Sequence, residues 1–310
     1  MRKDFILTIM MLGLISVQAV AQKIIDVHCH NILPSYIETL DRHDAALEET
    51  FPLPTWNVES HLAFMKGAGI ECSVLTMPAP QPWFGDVDES RRIIREYNEY
   101  CAALKRTYPG KFKFCASLPL PDVKAAIQEA IYALDTLGAD GIKLATNSRG
   151  QYVGDVELDT LMHILNERQA VIILHPHKPS PVNEGIIANS PLAVYEYPAE
   201  TTRAVINMIS RNVLSRYSDV KFVVHHCGSF LPLAIPRMKA VHPAMVSKFL
   251  MAYANSAYKD AEAMRVHYST LADYLGWRDM GSVIAPGVWT AGSIRNTTYG
   301  EEAYRLGRSL

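Results

Sequence analysis

The fold class predicted by this 310-residue chain is a (β/α)8 TIM barrel, and three observations predict it. Short continuous apolar runs recur along the chain, as parallel strands covered on both faces require. Amphipathic segments of helical length separate the runs. Histidines or a lysine stand at or near the ends of several runs, where barrels of this kind gather their active sites. A doubly wound open sheet is the alternative, but no G-x-G-x-x-G or G-x-x-x-x-G-K-S/T follows any run, so a nucleotide-binding fold has no support. No internal repeat or clear linker appears, and residues 22–310 read as one domain. The pattern is clear to about residue 250; from about Phe249 onward the seventh and eighth strands are atypical or incomplete.

Taken in order, the first residues are a leader rather than part of the fold. Arg2 and Lys3 precede an apolar stretch from Phe5 to about Val20, and Ala19-Val20-Ala21 forms a small-x-small cleavage site before Gln22. This pattern predicts a signal peptide over residues 1–21. A retained anchor is the weaker reading, because a span needs ~20 strongly apolar residues and Thr8, Gly13, Ser16 and Gln18 interrupt this one. The mature chain is therefore expected to be exported, periplasmic or secreted, with no membrane attachment after cleavage. Strands are expected at 24–30, 73–78, 112–118, 141–146, 171–176 and 221–226. Between them Asn57 caps a helix that stops near Gly67 or Gly69. Asp86 and Glu89 form a capping-box-like start to a helix over 87–107, with Ile93, Ile94, Tyr97, Tyr100, Cys101 and Leu104 on one face. Residues 122–137 form another helix, stopped at Gly138.

Composition is ordinary for a globular enzyme or binding protein: 49% hydrophobic, 20% charged, formal net charge -2. That balance, with no basic run, excludes nucleic acid as an expected partner. The five cysteines have an odd count and no framework spacing, so no disulfide scaffold is expected.

The chemistry concentrates at the strand ends. Ile24-Ile25-Asp26-Val27-His28-Cys29-His30 ends in His-x-His, and strand alternation points His28 and His30 to one side and Cys29 to the other. Two adjacent imidazoles are half of a metal site suited to zinc, iron or nickel. Lys143 is a charge inside the apolar fourth run, and needs a partner or a wet cavity. It is a substrate-binding cation, a carbamylated metal bridge, or a lysine paired with an acid at the rim. The fifth run ends in His175-Pro176-His177: His175 is a good third ligand, and His177 faces substrate or simply the loop. The sixth ends in His225-His226-Cys227-Gly228, and alternation allows only one of the two imidazoles to face the barrel axis. Trp83 and Phe84, after the second run, either stack on a substrate ring or pack the loop onto the barrel.

Asp-Val-His-Cys-His after the first strand, His-Pro after the fifth and His-His-Cys-Gly-Ser-Phe-Leu-Pro after the sixth together resemble the amidohydrolase superfamily. The nearest branch is the amidohydrolase-related group that includes aminocarboxymuconate semialdehyde decarboxylase, over roughly residues 24–250. The resemblance implies a divalent metal, zinc by expectation, held by His28, His30 and His175. It makes His226, followed by Cys227-Gly228, the residue for proton transfer, and implies a homodimer. The family's last ligand, an aspartate in Gly-Ser/Thr-Asp-Tyr-Pro, has no counterpart: residues 280–300 contain neither aspartate nor glutamate. Asp273, followed by Tyr274, is the nearest echo and Asp279 the other candidate; a truncated or frame-shifted tail would explain the loss. Ser229 also replaces a frequent glycine.

These residues lead to an expected metal-dependent enzyme acting on a small molecule. Hydrolysis of a small ester, lactone or amide by metal-activated water stands marginally ahead. Non-oxidative decarboxylation of a small unsaturated or aromatic acid is the alternative in the same site. A binding-only barrel, inactive for want of the aspartate, is the reading from another class.

Overall fold

A computed structural model describes residues 24–47, 52–181, 185, 190–241, 301 and 305. The expected leader and residues 249–300 of the tail, Asp273 and Asp279 among them, lie outside the described residues. Six strands, β1 (Ile24–His30), β2 (Ile70–Thr76), β3 (Phe112–Ala116), β4 (Gly141–Ala145), β5 (Val171–His175) and β6 (Lys221–Val224), form one sheet in sequential order. Every pairing is parallel. Strictly sequential order leaves no point at which the winding reverses, which removes the doubly wound alternative. The sheet is curled: the ring of His225, just past β6, reaches back to the Val27 carbonyl on β1 at 3.0 Å. The architecture is that of an incomplete TIM barrel.

The helices are α1 (Pro34–Arg42), α2 (Val58–Ala68), α3 (Val87–Thr107), α4 (Val123–Asp135), α5 (Asp159–Glu167), α6 (Glu196–Ser210), α7 (Val213–Arg216) and α8 (Leu231–Val241). Local chemistry sets their ends. The Asn57 side chain accepts from the Ser60 N–H, and Gly69 takes the left-handed cap at φ 70°. Asp86 accepts from the backbone of both Asp88 and Glu89. The expected capping box is half made, because the Glu89 carboxylate turns outward to Arg42 and His43 of the α1 end. Asp122 caps α4 through the Ala125 N–H, and that helix stops at Asp135, before Gly138 at φ 68°. Strand β2 starts three residues before the expected position. Glu71 breaks the apolar run in the sequence, yet Ile24 still pairs with Ile70 and Ile25 with Cys72.

Two apolar layers result. The larger lies between sheet and helices and includes Tyr36, Tyr97, Phe112, Phe114, Leu161 and Ile172. The smaller, of Val74, Cys115 and Ile173 with Val223 against them, comes from β2, β3, β5 and β6. In the β4–β5 register Lys143 opposes Ile173 and Ala145 opposes His175. Lys143 therefore lies one side-chain layer below the His175 tip, on the same face. Among the described residues no helix is long and apolar enough to cross a membrane.

Close strand contact at β4 gives one prediction. A Cβ on Gly141 would sit 2.5 Å from the Val171 carbonyl oxygen and 3.0 Å from Cys115 Sγ. Backbone cannot yield as a flexible side chain does, so Gly141→Ala is expected to cost roughly 1–3 kcal/mol, read as a lower urea midpoint.

A histidine cluster as candidate metal centre

Five imidazoles converge where the curled sheet brings β1, β5 and β6 together. Ring centroids lie 5.2 Å apart for His28–His30 and His28–His175, and 4.8 Å for His30–His175 and His28–His226. His28 and His225 stack at 3.7 Å with planes 20° apart. One ring nitrogen from each of His28, His175 and His225 lies within 4.8 Å of the others, the one such metal-compatible group among the described residues.

Hydrogen bonding decides which nitrogen each ring presents. The Thr76 hydroxyl donates to the Cys29 carbonyl at 2.8 Å, so its oxygen accepts from His30 Nδ1–H at 2.9 Å. His175 Nδ1–H donates to the Pro176 carbonyl at 2.7 Å. His225 Nε2–H donates to the Val27 carbonyl at 3.0 Å, and its Nδ1 is buried with no hydrogen bond among the described residues. Each anchored ring is thus left with one unprotonated nitrogen, the form that binds a metal. Behind them Tyr97 donates to Asn31 at 2.5 Å and Asn31 to Cys101 Sγ at 3.3 Å, bracing the end of β1.

Burial favours the neutral form of His28, His30, His175 and His225. Desolvation, with smaller contributions from neighbouring imidazoles, lowers His30 to about 3 and His225 to about 2. It also holds His175 well below the ordinary value, and His28 is lowered by burial against the opposing charge of Asp26. Lys143, buried on β4, adds its positive charge to the lowering of both His30 and His175. Several neutral imidazoles, with the buried His225 Nδ1 lone pair meeting no hydrogen-bond donor among the described residues, fit a divalent cation of the zinc class. The 4.8 Å grouping is wider than the roughly 3.4 Å between imidazole nitrogens on a tetrahedral ion, so the rings would close in on loading.

The structure brings His28, His30, His175 and His226 together as the sequence suggests, and corrects the expectation that only one of His225 and His226 faces the site. Strand β6 ends at Val224, so the period of two no longer governs either residue. His226, Cys227, Gly228 and Ser229 follow at φ 54°, 53°, 76° and 57°. Such a left-handed run is costly for three non-glycine residues and is typical of functional turns. His177 holds a loop: its Nε2 accepts from the Gln81 N–H at 2.8 Å. Trp83, half-buried in that loop, gives its carbonyl to Arg149 at 2.8 Å, while Phe84 stacks on His43 at 4.1 Å. A cavity of about 180 Å3 opens between the β4 and β5 loops, lined by Asn147, Arg149, His177 and Lys178 among others. It adjoins the site through His177 without including the cluster. Thr76 and Arg149 escaped the sequence reading; a polar residue ending the apolar β2 run was the available signal for Thr76.

Two outcomes follow from this geometry. Thr76→Val removes the hydroxyl that orients His30 and is expected to weaken metal binding about 10- to 100-fold, measured by chelator competition, with the fold retained. The second concerns pH. Above about pH 6.5 the imidazoles are neutral in both folded and unfolded chains and contribute no pH dependence. Below it the unfolded chain takes up protons that the folded cluster refuses, so stability falls as pH drops toward about 3. The slope is about 1.4 kcal/mol per pH unit for each excluded proton. Urea midpoints of metal-free protein at pH 7, 6 and 5 would show that decline, and a flat profile would contradict it.

Comparison with known proteins gives the same direction. The decarboxylase yanB of Aspergillus niger is 37% identical over 223 residues, covering 69% of this chain and 60% of that protein. For the decarboxylase macB of Penicillium terrestre the values are 34% identity, 69% and 66%. The chain thus spans less than two thirds of the length of either. The 6-methylsalicylic acid decarboxylase of Penicillium expansum is 31% identical, over 71% of this chain and 69% of that one. Among solved structures, an amidohydrolase II matches at TM-score 0.69 and 32% identity, over 71% of this chain and 72% of its own. The 5-carboxyvanillate decarboxylase LigW of Sphingomonas paucimobilis shares the fold at TM-score 0.65 and 19% identity, over 78% of each chain. The family profile described as amidohydrolase matches residues 25–280, and the chain belongs to that family.

Proposed function

We propose that this protein is a metal-dependent carboxy-lyase that removes carbon dioxide from a small aromatic or unsaturated acid. The observation that carries the reading is the cluster of neutral imidazoles around His28, with the Lys143 cation one layer below. The names of the curated relatives favour decarboxylation over the hydrolysis that the sequence put ahead. His28, His30 and His175 would hold the metal, with the remaining position open to Asp273, the carboxylate the sequence offers, or to a further imidazole of the cluster. Imidazole donors suit zinc, and one solved relative, a 5-carboxyvanillate decarboxylase, was determined with manganese, so both ions belong in the test.

A bound divalent ion would supply positive charge to orient and stabilise the acid. Lys143 adds a second positive charge in the low-dielectric interior, where it attracts a carboxylate strongly. Trp83 offers a half-buried ring for stacking, on a loop that His177 and Arg149 hold in place. His226 passes a proton to the carbon that bears the carboxylate. The bond to the carboxyl carbon then breaks, its electron pair stays with the substrate carbon skeleton, and carbon dioxide leaves. The His226 imidazole regains a proton from solvent. Export, on the strength of the leader pattern in residues 1–21, would set this chemistry on compounds met outside the cytoplasm, in a homodimer.

The test supplies zinc- and manganese-loaded protein with carboxyl-labelled hydroxybenzoates, 6-methylsalicylate among them, beside esters, lactones and amides. Labelled carbon dioxide with the matching ring product is expected. His226→Gln should lower kcat by about 10²–10⁴. Hydrolysis of the second panel without carbon dioxide release would restore the hydrolase reading, and tight metal binding without any turnover would favour a binding-only barrel.

A further inference from the structure

We propose that His225 is a protein ligand of the metal, taking the place of the carboxylate that the family's missing Gly-Ser/Thr-Asp-Tyr-Pro motif would bring. The inference rests on the metal centre argued above and assigns it a donor that the family pattern does not. Three observations carry it. First, His225 belongs to the one metal-compatible group among the described residues, with His28 and His175, and no carboxylate joins that group. Second, its Nε2–H is committed to the Val27 carbonyl at 3.0 Å, which fixes the ring and leaves Nδ1 as an acceptor. That Nδ1 is buried with no hydrogen bond among the described residues, a state that is unfavourable unless a donor or a cation meets it. Third, His225 stacks face to face on His28 at 3.7 Å with planes 20° apart, which holds the two rings together in the cluster.

The sequence carries the same substitution. Residues 280–300 hold no aspartate or glutamate, while the sixth strand is followed by two histidines where one suffices for proton transfer. His226 keeps that role, and the second imidazole is available as a ligand. Exchange of a carboxylate for an imidazole raises the net charge of the centre by one. A more electrophilic ion bound by softer donors results, with a preference for zinc or cobalt over manganese.

Cobalt(II) is the probe for the test, since its visible absorption reports coordination number. Wild type, His225→Gln, His226→Gln and His28→Ala would be compared for bound cobalt, chelator-competition Kd, visible spectrum and imidazole count by X-ray absorption. Glutamine at 225 keeps an amide donor for the Val27 carbonyl and removes the imidazole acceptor, and circular dichroism with thermal melting checks that each variant folds. The expected result for folded His225→Gln is cobalt binding at least tenfold weaker, one imidazole fewer and an altered spectrum, with the His226→Gln spectrum like that of wild type. Wild-type affinity and spectrum in His225→Gln would overturn the proposal and leave the metal centre standing. Folded wild type that binds no cobalt, zinc or manganese would overturn the metal centre itself and this ligand with it.

Discussion

A buried imidazole has two nitrogens and can leave neither unaccounted for, and that constraint organises the centre of this molecule. Burial suppresses the cation, so each ring must carry one proton and one lone pair. The protons go to fixed oxygens at the strand tips: Thr76 for His30, Pro176 for His175 and Val27 for His225. What remains is a set of lone pairs in a confined space. Affinity for a metal at such a centre would owe as much to the oxygens that hold the rings as to the histidines themselves.

Curling of the sheet makes this possible. Six parallel strands in sequential order would set β1 and β6 far apart if flat, and sheet twist brings their ends face to face. The chain then departs from regular structure where two consecutive imidazoles both meet the His28 ring. Four successive residues of positive φ after His225 turn the backbone tightly enough for both rings to face inward. Local strain of this kind persists only where surrounding packing fixes it, and here Leu174 accepts the His225 N–H while Thr202 holds Phe230.

The strands, the caps and most of the site were legible in the sequence because each depends on local chemistry. Asn57, Asp86 and Asp122 announce helix starts by their own hydrogen bonds, and His-x-His at the end of an apolar strand announces a ligand pair by period alone. The pairing of His225 with the site was not legible, because alternation was extended beyond the end of β6, where it no longer applies. Glu89 gave a second misreading, since a distant Arg42 outcompetes the local backbone for its carboxylate. Thr76 went unnoticed for the opposite reason: threonine is common in strands, and only the meeting of β1 with β2 gives its hydroxyl a purpose.

The clasp between Val27 and His225 joins residues 198 positions apart. A growing chain carries His28 and His30 from the start, yet the clasp cannot close until the sixth strand has emerged and the sheet has bent round. Until then the first two imidazoles are a chelating pair without its later partners, the His30 tautomer already set by Thr76 of β2. Ion capture is consequently a late event in the life of each molecule, and a bound ion that favours only the finished form adds its binding energy to that form alone. Scarcity of metal during synthesis would therefore be felt first as a shorter lifetime of the protein.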